Sequence, residues 1–274
     1  MPVLRIVLAV FPTVVLLSLC CAQNPAYIPE ANPARPTIAT PATLTPVGYL
    51  QFESGILGAR NSPEFSTLTQ VNETVKLTVH RRLQFLLQTA PLAYSTDTSS
   101  TNTAAAEAFL GAQGVLFRGE GVRPTISLSY LGRVHDSGGP DLDIGSPRQT
   151  ALILLSNDIH GFHADWNAIF SEQVQQGIRR AQFGQTLSVS HPIGRVSLTS
   201  ELWHFTQPFL EGRAMGTLWA VSSPLRKNLV VDMGFNRGLT STSTKWEVFM
   251  GFTYLLPHRL WERHQERNTG LPGR

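Results

Sequence analysis

The stretch KWEVFMGFTYLLP, residues 245–257, decides the fold. Its even positions, Trp246, Val248, Met250, Phe252, Tyr254 and Leu256, are all apolar, and three are aromatic. Its odd positions include Lys245, Glu247, Gly251 and Thr253. Strict alternation marks a β-strand, whose successive side chains point to opposite faces. A face this apolar covers either a soluble core or lipid.

The same period of two recurs upstream. YLQFESGIL sets Leu50, Phe52 and Ile56 against Gln51, Glu53 and Gly55. VNETVKLTV sets Val75, Leu77 and Val79 against Thr74, Lys76 and Thr78. LQFLLQTA sets Leu83, Phe85 and Leu87 against Gln84 and Gln88. FHADWNAIFS sets Phe162, Trp166 and Phe170 against His163, Asp165 and Asn167. LVVDMGFN sets Val231, Met233 and Phe235 against Asp232, Gly234 and Asn236. Segments near 108–118, 150–157, 182–191, 196–206 and 214–222 have strand composition but alternate less cleanly. The pattern predicts about twelve strands of about ten residues, the length of a tilted membrane strand.

Connections fall into two alternating sets. HRR (80–82), GEGVR (119–123), NDIHG (157–161), PIGR (192–195) and PLRKN (224–228) are short. STDTSSTNTA (95–104), DSGGPDLDIGSPR (136–148) and EQVQQGIRR (172–180) are longer and more polar. An up-and-down outer-membrane barrel has this rhythm, with short periplasmic turns and longer outside loops. An even strand number places both ends of the barrel on one side.

Composition agrees with a barrel. Charged residues make up 15% of the 274, against a usual ~25%. The net charge of +3 is too small and too scattered to point to nucleic acid. Residues 1–22 read as a signal peptide, with Arg5, the apolar run IVLAVFPTVVLLSL and a small-residue cleavage site behind Ala22. Both cysteines, Cys20 and Cys21, fall at that site, so the mature chain uses no disulfide. Residues 23–46 hold six prolines and are expected to form an extended periplasmic segment. The barrel is expected over 47–257, and 258–274 as a periplasmic tail.

A soluble sandwich would alternate too, but its water-facing side normally carries more Lys and Glu. The expected fold is therefore all-β, an up-and-down antiparallel transmembrane β-barrel. Its lumen-lining candidates are Glu53, Lys76, Gln84, Gln88, His163, Asp165, Asn167, Glu201, Asp232, Asn236 and Glu247. Trp246, Phe252 and Tyr254 are the candidates for the lipid-facing stripe that assembly needs. Tyr130, Trp166 and Phe205 join Trp246 and Tyr254 as aromatics suited to the water–lipid boundary.

Catalytic chemistry leaves no signature. His160 and His163, three apart on a strand, point to opposite faces and cannot share a metal. Ser200 and His204 share a face but are separated by about 13 Å of strand. No G-x-S-x-G, H-E-x-x-H or phosphate-loop pattern occurs. No cofactor is expected. A channel or transporter-like barrel for small solutes is the leading reading. A lipid-modifying outer-membrane enzyme, with Ser–His or paired carboxylates across strands, and a soluble secreted β-protein are the alternatives.

GFTYLL, residues 251–256, resembles the C-terminal signal by which barrel proteins are recognised for outer-membrane assembly. The stretches NPARPTIATPATLTPVGYLQFESGILGAR, NETVKLTVHRRLQFLLQTAPLAYS and WEVFMGFTYLLPHRLW together resemble the MetA-pathway of phenol degradation family, transporter-like bacterial outer-membrane proteins. That resemblance implies a barrel and the passage of small solutes, aromatic or hydrophobic ones included. It also implies outer-membrane lipid, the barrel-assembly machinery and an unidentified small solute as partners, in the bacterial outer membrane.

Overall fold

The computed structural model describes residues 29–97, 101–104, 107–136, 147–210 and 212–261. The expected signal peptide and most of the expected tail lie outside the described residues. Thirteen strands occur among those described. They are β1 (Leu50–Arg60), β2 (Thr67–His80), β3 (Leu83–Thr96), β4 (Thr101–Ala104), β5 (Glu107–Phe117), β6 (Thr125–His135) and β7 (Gln149–Ile159). β8 (Phe162–Gln175), β9 (Ile178–Ile193), β10 (Val196–Gln207), β11 (Gly212–Arg226), β12 (Leu229–Gly238) and β13 (Trp246–Leu255) follow.

Twelve of these strands close a ring. β1 pairs with β2, β2 with β3 and β3 with β5, and each later strand pairs with the next. β13 returns antiparallel to β1, with Phe52 opposite Tyr254 and Gly55 opposite Gly251. β4 is a short return strand within the 95–104 connection and pairs with the end of β3. Closure leaves no sheet edge, and every wall strand finds backbone partners on both sides.

The outer face is apolar around the ring. On β13, Trp246, Val248 and Met250 are 49%, 61% and 54% exposed, whereas Glu247 and Thr253 are buried. Met250 sits in register with Ile56 on β1 and Met233 on β12, both also exposed. Tyr130 lies on this outer face as well.

Two expectations about the wall are corrected. Residues 172–180 do not form a loop, because β8 and β9 run on through them and turn at Gln176–Gly177. Both turn residues have positive φ, 50° and 80°, the backbone of a two-residue type I′ hairpin. Phe205 is not a boundary aromatic. It points into the ring, fully buried, with its centroid 6.0 Å from that of Trp203.

Candidate functional site

The segment expected outside the barrel lies inside it. From Ala31, whose N–H donates to the Lys227 carbonyl (2.9 Å), the chain passes into the ring at its short-turn end. It crosses the interior, turns back, and leaves beside Gly48, whose N–H donates to the Thr78 carbonyl (2.8 Å). A buried backbone that joins no sheet needs other hydrogen-bond partners. Prolines 33, 36 and 41 reduce the demand, since they carry no N–H. Ala39 and Ala42 are fully buried, small enough for the chain to run close to the wall.

Inward side chains of the wall meet the remaining demand. Gln51 accepts from the Asn32 N–H (2.9 Å) and donates to its carbonyl (2.8 Å). Glu53 accepts from the Ala34 N–H, 3.2 Å from both oxygens. Glu201 receives two adjacent N–H groups, Ile38 at 2.8 Å and Ala39 at 2.7 Å. Asn167 accepts from Thr40 N–H (2.6 Å) and donates to its carbonyl (2.9 Å). Ser156 accepts from the Ala42 N–H (2.7 Å), and Ser156 in turn is hydrogen-bonded to Asp165. Gln84 accepts from the Thr45 N–H (3.0 Å). The contacts join successive parts of the segment to five strands, β1, β3, β7, β8 and β10, so position and path are both specified.

Charge fixes the segment further. Arg35 donates from Nε and Nη2 to the two oxygens of Asp232, at 3.2 and 3.1 Å. This forked geometry is the strong form of an ion pair. Gly55 and Gly251 face each other across β1 and β13, and a Cβ on either would collide with the guanidinium. Next to this, Lys76 and Glu53 form a buried ion pair. Lys76→Met is expected to cost about 3–5 kcal/mol by leaving the Glu53 charge buried without its cation. Urea titration of the folded barrel, read by its gel mobility, checks this, and adding Glu53→Gln should recover most of the loss.

The interior is not polar throughout. Leu152, Leu154, Ile169, Trp203, Phe205 and Ala214 form an apolar cluster with Ala42, and Ile38 packs against it. The Trp203 Nε1–H donates to Asn236 (2.8 Å), and Asn236 donates to Glu247 (3.1 Å). Above the segment, in the half of the lumen toward the longer connections, lies a cavity of about 420 Å³. Gln88, Asn236 and Glu247 line it, and Arg35 and Ile38 belong to its floor.

The sequence candidates thus separate into groups. Glu53, Gln84, Asn167, Glu201 and Asp232 hold the threaded segment, with Lys76 and Asp165 behind them. Gln88, Asn236 and Glu247 border the cavity. His163 stands near the short-turn end between Asp158 (2.8 Å) and Asp165 (3.1 Å). His191 is bonded to the Gly161 carbonyl (2.9 Å), and neither histidine's bond is to a serine. Trp246, Phe252 and Tyr254 share the outer face. Sequence reasoning missed Arg35, Gln51, Ser156 and Trp203. One signal was available: five of the inward candidates are carboxylates and only Lys76 is a cation, so a further cation such as Arg35 was needed inside.

A closed antiparallel ring with an apolar exterior and a threaded, partly polar interior defines the fold class, a β-barrel of the outer-membrane type. No protein-family model and no curated protein matches the chain. Among solved structures it is similar to the CymD monoaromatic hydrocarbon channel, at 9% identity over 79% of this chain and 89% of that one, TM-score 0.40. It is also similar to the β domain of the Bordetella autotransporter BrkA, at 13% identity over 75% and 98%, TM-score 0.41. Salmonella typhi OmpF in complex with daunomycin aligns at 9% identity over 76% and 96%, TM-score 0.33.

Proposed function

We propose that the protein is a bacterial outer-membrane barrel, exported by its signal peptide, that admits small solutes into its lumen without acting as an enzyme. Its short-turn end faces the periplasm and its longer connections face outward. The apolar outer face supports the membrane setting, since a belt of this extent is unsuited to water. The observation that carries the solute reading is the cavity of about 420 Å³ bounded by the ring and floored by the threaded segment. That volume falls in the range of small-molecule sites. Aromatic and hydrophobic solutes fit the reading, as does membership of the MetA-pathway of phenol degradation family on the quoted stretches. In planar bilayers, the purified protein should show solute-dependent current noise or block. A folded barrel that neither conducts nor binds any small solute, with or without residues 29–45, overturns the proposal.

A further inference from the structure

An apolar groove of about 980 Å³ runs along the outer face of the ring. On the side of the longer connections its border is a row of residues in register: Gly58 on β1, Val248 on β13, Phe235 on β12 and Trp219 on β11. Met250 and Met233 continue the apolar surface toward mid-strand. From there the groove reaches Phe162 and His191 at the short-turn ends of β8 and β9. His191 is the one titratable residue that lines it among those described. It is taken up by the Gly161 carbonyl and by stacking on Phe162, with ring centroids 4.5 Å apart.

Charge gathers one step beyond that border. Two residues further along the same faces stand Arg60, Trp246 and Arg237, about 7 Å away in strand geometry. Trp246 lies opposite Arg60 on one side and opposite Arg237 on the other. The Arg237 guanidinium stacks over the Trp246 ring, 4.3 Å from its centroid. Its Nη1 donates to the Lys245 carbonyl (2.9 Å), which engages one corner of a group with five N–H donors. Arg60 is exposed. No carboxylate among the described residues lies within ion-pair distance of either arginine. These are the last outward positions before the connections 61–66 and 239–245, where the water–lipid boundary falls. The two arginines stand two strands apart, roughly 10 Å, so both can reach one anion placed over Trp246.

We infer that this rim and groove bind a phosphate-bearing lipid of the outward leaflet, its phosphate between Arg60 and Arg237 and an acyl chain along Val248, Met250 and Met233. This rests on the reading of the outer face as lipid-facing and of the longer connections as the outward end. The guanidinium fork matches the oxygens of a phosphate. A free anion would use the rim and leave the groove unfilled. A neutral lipid would fill the groove and leave two guanidinium groups without a counter-ion. A second copy is a poor occupant. Two barrels in one membrane share an orientation, so a two-fold axis along the membrane normal sets both rims at one depth, like charge toward like charge.

The test uses the full mature chain in detergent micelles and three probes: dimyristoyl phosphatidate, dimyristoylglycerol and inorganic phosphate. Native mass spectrometry counts bound probe through a titration, and heat-dependent gel mobility shows that each sample is a folded barrel. Phosphatidate is expected to bind about tenfold more tightly than dimyristoylglycerol, the order that two basic residues near a membrane surface support. Inorganic phosphate is expected not to saturate. Arg60→Gln combined with Arg237→Gln should remove the preference. Arg195→Gln combined with Arg226→Gln takes the same charge from exposed positions at the short turns and should leave the preference intact. Should the first pair not fold, Arg60→Gln alone, at an exposed strand end, should still lower the ratio. Equal binding of the two lipids, equal losses in the two pairs, phosphate binding as tight as phosphatidate, or a dimer that excludes lipid overturns the inference. Where the barrel still shifts on heating, such a result leaves the membrane reading standing. A chain that stays in water without detergent overturns both.

Discussion

Deleting residues 29–45 is expected to turn a barrel blocked at its short-turn half into one that conducts in discrete steps. The segment fills that half of the lumen, from the Lys227 carbonyl to Thr78 on β2, and it is gripped on the way by Glu201. The wall does not depend on it for closure, since every ring strand pairs with two others. Removal exposes Glu201, Asn167, Ser156 and Gln84 to water that fills the lumen, where they regain hydrogen bonds. The cost is concentrated on the apolar cluster around Trp203 and Phe205, which loses Ile38 and Ala42. The shortened protein should therefore still fold and still shift in gel mobility on heating, but with larger and steadier currents than the full chain. Glu201→Ala is the milder version. It removes two charge-assisted bonds, each of about 1.5–3 kcal/mol, and should produce brief openings. Identical currents from the deletion variant and the full chain would show that the segment is not the obstruction.

How much of this was legible depended on which face was being read. β1, β8, β12 and β13 alternate cleanly because their inner faces carry Gln51, Glu53, Asp165, Asn167, Asp232 and Glu247. The segments at 150–157, 196–206 and 214–222 alternate poorly for a physical reason. Their inner faces are apolar too, through Leu152 and Leu154, Trp203 and Phe205, and Ala214 and Leu218. Apolar residues on both faces erase the period of two, so a buried cluster inside the ring looks like an indistinct strand. The closure of β13 on β1 was visible, because a twelve-membered up-and-down ring brings the first strand to the last. The threading of 29–48 was not. Its prolines correctly exclude a helix or a central strand, but extended chain outside a barrel and extended chain inside one share that composition. Only the unbalanced inward carboxylates, which require Arg35, separated the two.

Met250→Arg is expected to block assembly, whereas Gln88→Arg is expected to fold. Met250 is at mid-strand on the outer face, flanked in register by the exposed apolar side chains of Ile56 and Met233. A charge there at mid-depth of a bilayer costs about 2–4 kcal/mol. Gln88 borders the cavity, whose lining includes Glu107, so an arginine there has room for water and a counter-charge on the same inner wall. Its effect should stay within about 1 kcal/mol. Inward direction alone does not confer tolerance. Thr253 also points inward, yet it is fully buried and stands opposite Glu53, so Thr253→Asp would set two carboxylates against each other beside the threaded chain. Tolerance is therefore expected on the inner wall only where the cavity leaves room for water. Heat-dependent gel mobility of the variants in outer-membrane fractions measures this directly. Normal assembly of Met250→Arg would mean that this row does not face lipid.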